Sequence, residues 1–129
     1  MPRPGSSQPT EVELQILRVL WERGPSTVRQ VHNALAADKV TNYSTTVKML
    51  SVMLDKGLVK RDETVRPLVY RAAKNQETTQ RNMLRHLIQR VYDGSAGSLV
   101  MQALSSQRAT PDELAEIRRL LDELEGESP

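Results

Sequence analysis

Apolar residues in this chain follow two rhythms, and the change between them marks the elements. Leu14, Leu17, Val19, Leu20 and Trp21 fall within two helical turns, directly after Thr10-Glu11-Val12-Glu13. That tetrad is a capping box, in which the threonine hydroxyl and the glutamate three residues on satisfy the first free backbone N–H groups. A first helix is therefore predicted over about 10–23, stopped by Gly24-Pro25. Thr27-Val28-Arg29-Gln30 repeats the box with glutamine, and Val28, Val31 and Leu35 make the stripe of a second helix over 27–37. The polar run Asp38 to Asn42 reads as a turn. A third helix follows from Tyr43 and ends at Gly57, a suitable C-terminal glycine.

This third helix has two different faces. At roughly 100° per residue, Val47, Leu50 and Leu54 fall on one side, and Thr45, Lys48, Met49, Val52 and Lys56 fall opposite. The second face carries no acid in this reading, and its first turn is the hydroxyl run Ser44-Thr45-Thr46. After Gly57 the period shortens to about two. Leu58-Val59-Lys60-Arg61 and Leu68-Val69-Tyr70-Arg71 predict a two-stranded hairpin whose charged tip, 62–67, includes Arg66. Three helices and a hairpin, with the exposed hydroxyls on the third helix, follow the order of a winged helix-turn-helix.

The rest of the chain returns to the helical period. Met83, Leu84, Leu87, Ile88 and Val91 predict a fourth helix from Gln76 to Tyr92, and Ala96 to Leu104 a short fifth. Thr110-Pro111-Asp112-Glu113 joins a capping box to a proline at the first helical position, and Leu114, Ile117, Leu120, Leu121 and Leu124 form the sixth helix's stripe. Three short amphipathic helices without a large aromatic core leave apolar surface uncovered, and a second copy of the chain is the expected cover. The predicted fold is mainly α with a small β-hairpin: a loose tail at 1–9, a winged-helix domain at 10–75 and a helical dimerisation domain at 76–129.

Composition narrows the function. Aromatic residues are only 3% of the 129, so packing must be aliphatic, and the absence of cysteine excludes disulfides, thiolate metal sites and cysteine nucleophiles. No apolar run approaches the roughly 20 residues of a membrane span, and the start M-P-R-P-G-S-S-Q-P has no apolar leader core, which points to the cytoplasm. The net charge of +2 is unevenly spread: residues 1–75 hold 12 basic against 7 acidic side chains, and residues 76–129 hold 6 against 9. A basic front and an acidic back suit a nucleic-acid module joined to a protein-contact module.

Catalytic chemistry has little to stand on. His32 and His86 lie on different helices without metal-ligand spacing, and no phosphate loop, nucleophile elbow or cofactor motif occurs, so neither enzyme activity nor a cofactor is expected. The outer face of the third helix is the stronger candidate. One of Asn42, Ser44 or Thr45 serves as its N-cap. Capping does not explain the apolar Met49 and Val52 beside Lys48, which need a partner such as a thymine methyl or a neighbouring helix. Arg29, Lys39, Lys48, Lys56, Lys60, Arg61, Arg66 and Arg71 are the nearby cations, for phosphates or simply for solvent. A winged-helix protein-interaction module that reads no DNA is the alternative, because fold alone does not decide function.

The segments E-L-Q-I-L-R-V-L-W at 13–21, T-V-R-Q-V at 27–31, Y-S-T-T-V-K-M-L at 43–50 and K-G-L-V at 56–59, with Tyr70 in the second strand, resemble the penicillinase-repressor family of bacterial winged-helix transcriptional repressors. The resemblance runs from about Thr10 to Leu124. It implies a homodimer on a dyad-symmetric operator of inverted TACA/TGTA repeats. In that picture Thr45, Thr46 and Lys48 enter the major groove with Met49 beside them; Arg29, Asn42 and Ser44, next to that face, are candidate DNA contacts from their chemistry. Arg66 on the wing meets the backbone or minor groove. Relatives are released when a membrane sensor system leads to cleavage of an Asn–Phe bond in the fifth helix. Met101-Gln102-Ala103 stands there in this chain, so the upstream protease or sensor is undefined. Copper-responsive relatives carry C-terminal cysteine pairs, which this chain lacks.

Overall fold

The computed structural model describes residues 8–36 and 42–126. Their elements run α1 (Glu11–Arg23), β1 (Ser26–Thr27), α2 (Val28–Ala36), α3 (Tyr43–Asp55), β2 (Val59–Asp62), β3 (Val69–Ala72), α4 (Gln76–Val91), α5 (Ala96–Ser106) and α6 (Pro111–Gly126). Most of the expected N-terminal tail, the end of the second helix at 37 and the turn up to 41, with Lys39, lie outside the described residues.

Local chemistry sets the helix ends. At α1 the Thr10 N–H donates to Glu13 Oε1 at 2.9 Å and the Glu13 N–H to Thr10 Oγ1 at 3.2 Å. The same reciprocal pair forms between Thr27 and Gln30 ahead of α2 and between Thr110 and Glu113 at α6. Each satisfies backbone donors that a helix start leaves unpaired. Asn42 caps α3, and Gly57, at φ +79°, lets the Leu58 N–H reach back to the Met53 carbonyl at 2.9 Å. That left-handed position turns the chain from α3 into β2, and a side chain there would strain it.

The sheet has three strands in the order β1-β3-β2 rather than the two of the expected hairpin. The extra strand pairs Ser26 with Tyr70 and Thr27 with Val69, and two residues are too short to show an alternating pattern. Directly paired residues of an antiparallel sheet share a face, so Val59 and Tyr70 point inward while Lys60 and Arg71, opposite each other, point outward. The core joins Ile16, Leu17 and Leu20 of α1 to Val31, Leu50, Met53, Val59 and Tyr70. Trp21 packs at its edge and donates from Nε1 to the Lys74 carbonyl at 3.0 Å.

The chain divides into two compact units, Met1–Met83 and Leu84–Pro129. The division falls inside α4, whose first turn buries Thr79. In the second unit neither α5 nor α6 buries a residue. Leu84, Leu87, Val91, Leu120, Leu121 and Leu124 are exposed, while Ile88, Leu114 and Ile117 are half-buried; Met83, at the end of the first unit, is half-buried too. Among the described residues no helix is long and apolar enough to cross a membrane.

Candidate nucleic-acid interface

Four residues interlock α2 with the start of α3. Arg29 and His32 are three apart on α2, and Tyr43 and Thr46 three apart on α3, so each pair shares a helix face. Thr46 is fully buried and its Oγ1 is hydrogen-bonded to His32 Nδ1 at 3.0 Å. The His32 ring meets Tyr43 edge-on at 5.5 Å between centroids and 78° between planes. The Arg29 guanidinium carbon sits 4.1 Å from the Tyr43 ring centre.

This arrangement corrects the helical faces drawn from sequence. Thr46, Leu50 and Met53 form the buried stripe of α3, so Thr46 is not available to touch a base. A threonine tolerates that burial because His32 satisfies its hydroxyl. Val47, expected inside, is 42% exposed, and Met49, expected outside, is half-buried against the core. Met49 and Thr45 instead line one side of a groove of about 680 Å³ with Val12, Val19 and Leu35. Lys56 also turns inward, where its Nζ pairs with Glu13 Oε1 at 2.7 Å.

The exposed residues of α3 are therefore Tyr43, Ser44, Thr45, Val47, Lys48, Ser51, Val52 and Asp55. Asp55 lies seven residues from Lys48, about two turns on and nearly in line with it. The face is thus not free of acid, as the sequence reading had it, and its cationic, hydroxyl-bearing part is confined to the first half of the helix. The Asn42 side chain organises that half. Its Oδ1 accepts from the Thr45 N–H at 2.8 Å, the Thr45 hydroxyl at 2.7 Å and the Ser44 hydroxyl at 2.9 Å. The backbone donor fixes which atom of the amide is the oxygen.

The wing tip is held by its own polar groups. Asp62 Oδ1 accepts from the Thr64 N–H and hydroxyl at 2.9 and 2.6 Å. The Thr64 hydroxyl, and then its N–H, hold the Asp62 carboxyl below the usual carboxylate range. Arg61 is pushed further up from its already high value by hydrogen bonds to Tyr70 and Glu63. Arg66, expected to reach outward, donates from Nη1 to the Glu63 and Val65 carbonyls at 2.8 and 2.9 Å. Its other donors remain on an exposed tip.

Sequence reasoning missed the roles of Tyr43 and His32 at this site. Their spacing with Arg29 and Thr46 was the available signal, legible only once α2 and α3 are known to face each other. Among the described residues no cluster of three His, Cys, Asp or Glu side chains could hold a metal. The model of one protein family, the penicillinase repressor, matches residues 9–123. The penicillinase repressor of Bacillus licheniformis is 22% identical over 116 residues, which cover 90% of this chain and 91% of that protein.

Proposed function

Since the chain belongs to the penicillinase repressor family, we propose that it is a homodimeric transcriptional repressor that binds a dyad-symmetric operator in double-stranded DNA and catalyses no reaction. The observation that carries this reading is the first half of α3, which exposes Ser44, Thr45 and Lys48 together, with Val47 on the same surface and the lone acid of the face two turns away. Such a surface suits the major groove. Short hydroxyls reach base edges, a lysine reaches a base or phosphate, and a valine packs on a thymine methyl. Met49 then supports Thr45 from the groove rather than touching a base, and Thr46 acts only through His32. Arg66 and Asn42 Nδ2 serve as donors at the margins, and the outward pair Lys60 and Arg71 adds positive charge on the wing.

Dimerisation uses the second unit. Leu84, Leu87 and Val91 on α4 and Leu120, Leu121 and Leu124 on α6 leave two apolar stripes open, and a twofold pairing of stripes would cover them with copies of themselves. Two winged helices so joined present two copies of α3 to half-sites about one DNA turn, roughly 34 Å, apart.

Gel shifts with duplexes enriched from a randomised library test the reading. Wild type should select a palindrome, and Thr45→Ala and Lys48→Ala should each weaken its binding about tenfold or more while retaining the wild-type circular dichroism. Undiminished binding by both variants would refute the assignment of α3. Equal, weak binding to every duplex would favour a protein-interaction module instead.

A further inference from the structure

Among the described residues Arg29 has no carboxylate partner, yet its guanidinium is not loose: it lies over the Tyr43 ring at 4.1 Å. Stacking at that distance uses the face of the guanidinium and leaves the N–H groups along its edge free. Those edge donors are the ones that match two phosphate oxygens at once. The ring beneath is itself fixed. His32 meets it edge-on, and His32 is held in turn by the buried hydroxyl of Thr46. A chain of contacts thus runs from the core to an exposed cation beside the first turn of α3.

We infer that Tyr43 is a positioning residue that holds the Arg29 guanidinium ready for a backbone phosphate of DNA, with His32 and Thr46 locking the ring. The inference rests on the DNA-binding reading above. The phosphate contact belongs to Arg29, and Tyr43 acts only through it by ordering a long side chain before the duplex arrives. Such a contact sets how α3 is registered on the duplex and carries no base preference.

Fluorescence anisotropy with the full chain and a duplex enriched by wild type, measured across a salt series, separates the roles. Arg29→Ala should flatten the slope of log affinity against log salt by about 0.9 per bound chain, because one condensed counterion fewer is released. Tyr43→Leu should weaken binding roughly two- to fivefold per bound chain, the worth of an exposed cation–ring contact, while Tyr43→Phe, which keeps the ring, should match wild type. The decisive comparison is Tyr43→Leu in the Arg29→Ala background, where its effect should vanish. If Tyr43→Leu costs the same with or without Arg29, or if Arg29→Ala leaves the salt slope unchanged, the inference is overturned. Thermal melts check that each variant folds, and Tyr43→Phe binding as poorly as Tyr43→Leu would also count against it. Wild type showing no salt-dependent affinity for any duplex would overturn the DNA reading itself, a result distinct from the others.

Discussion

Replacing Lys56 with methionine tests whether an ion pair inside the winged-helix unit holds α3 to the rest of the fold. The Lys56 ammonium lies 2.7 Å from Glu13 Oε1 and 3.3 Å from the Gln8 carbonyl, and the two side chains are only 14% and 7% exposed. The same carboxylate oxygen accepts the Thr10 N–H at 2.9 Å, so one group both caps α1 and anchors the C-cap residue of α3. Removing one partner of a fully buried pair costs about 3–5 kcal/mol, against about 0–1 for an exposed pair. Lys56→Met leaves the carboxylate with its Thr10 hydrogen bond and slight solvent access, so about 2–3 kcal/mol is expected. Glu13→Gln keeps an acceptor for Thr10 and leaves an ammonium whose long stem can swing towards water, so about 1–2 kcal/mol suffices. Trp21, the sole tryptophan, sits at the edge of this core, and its fluorescence during urea unfolding reports on this unit. The double variant should be less destabilised than the sum of the two single ones by at least about 1 kcal/mol. A Lys56→Met chain within about 0.5 kcal/mol of wild type, or singles that simply add, would refute the reasoning.

Three further outcomes follow from the geometry. Thr46→Val should cost about 1–2 kcal/mol, because it strands His32 Nδ1 in a half-buried site, yet leave the selected DNA sequence unchanged; an altered base preference in library selection would mean that Thr46 reaches the groove after all. In sedimentation at micromolar concentration wild type should run at twice the 14.5 kDa chain mass, and Leu87→Glu or Leu121→Glu should run as a monomer; a dimeric double variant would place the interface elsewhere. The Asp62 carboxyl is held below its usual range by Thr64, so its wing-tip bonds contribute above the ordinary carboxylate pKa of about 3.9 and are lost as pH falls through the lower folded value. By NMR, Thr64→Val should raise the Asp62 midpoint towards the ordinary value, and an unmoved midpoint would exclude Thr64 as the cause.

What the sequence disclosed was mostly what lies within four residues. The boxes at Thr10, Thr27 and Thr110 and the stop at Gly57 are read from neighbours alone, and they place the ends of α1, α2, α3 and α6 to within a residue or two. The faces of α3 were harder, because burial of Thr46 depends on His32, fourteen positions earlier, and inward turning of Lys56 on Glu13, forty-three earlier. A helical wheel ranks threonine and lysine as outward residues and cannot know that a partner waits. β1 escaped because two residues have no period. Arg66 sits on the exposed tip, where two carbonyls of its own turn already occupy its Nη1, a local pairing that its charge alone does not disclose. The hydroxyl turn was found, but which of its atoms carried free hydrogens depended on Asn42.

That last point changes what kind of surface the turn is. With both hydroxyl hydrogens directed at one amide oxygen, Ser44 and Thr45 face outward as lone pairs. Two hydroxyls that are amphoteric by composition are, in this conformation, receivers only. Those hydroxyls are mute towards a phosphate or a carbonyl, which bring no hydrogen, and responsive to the exocyclic amines of adenine and cytosine, which do. One side chain outside the helix, Asn42, thereby sets the polarity of two inside it, so the grammar of the turn is written at its cap.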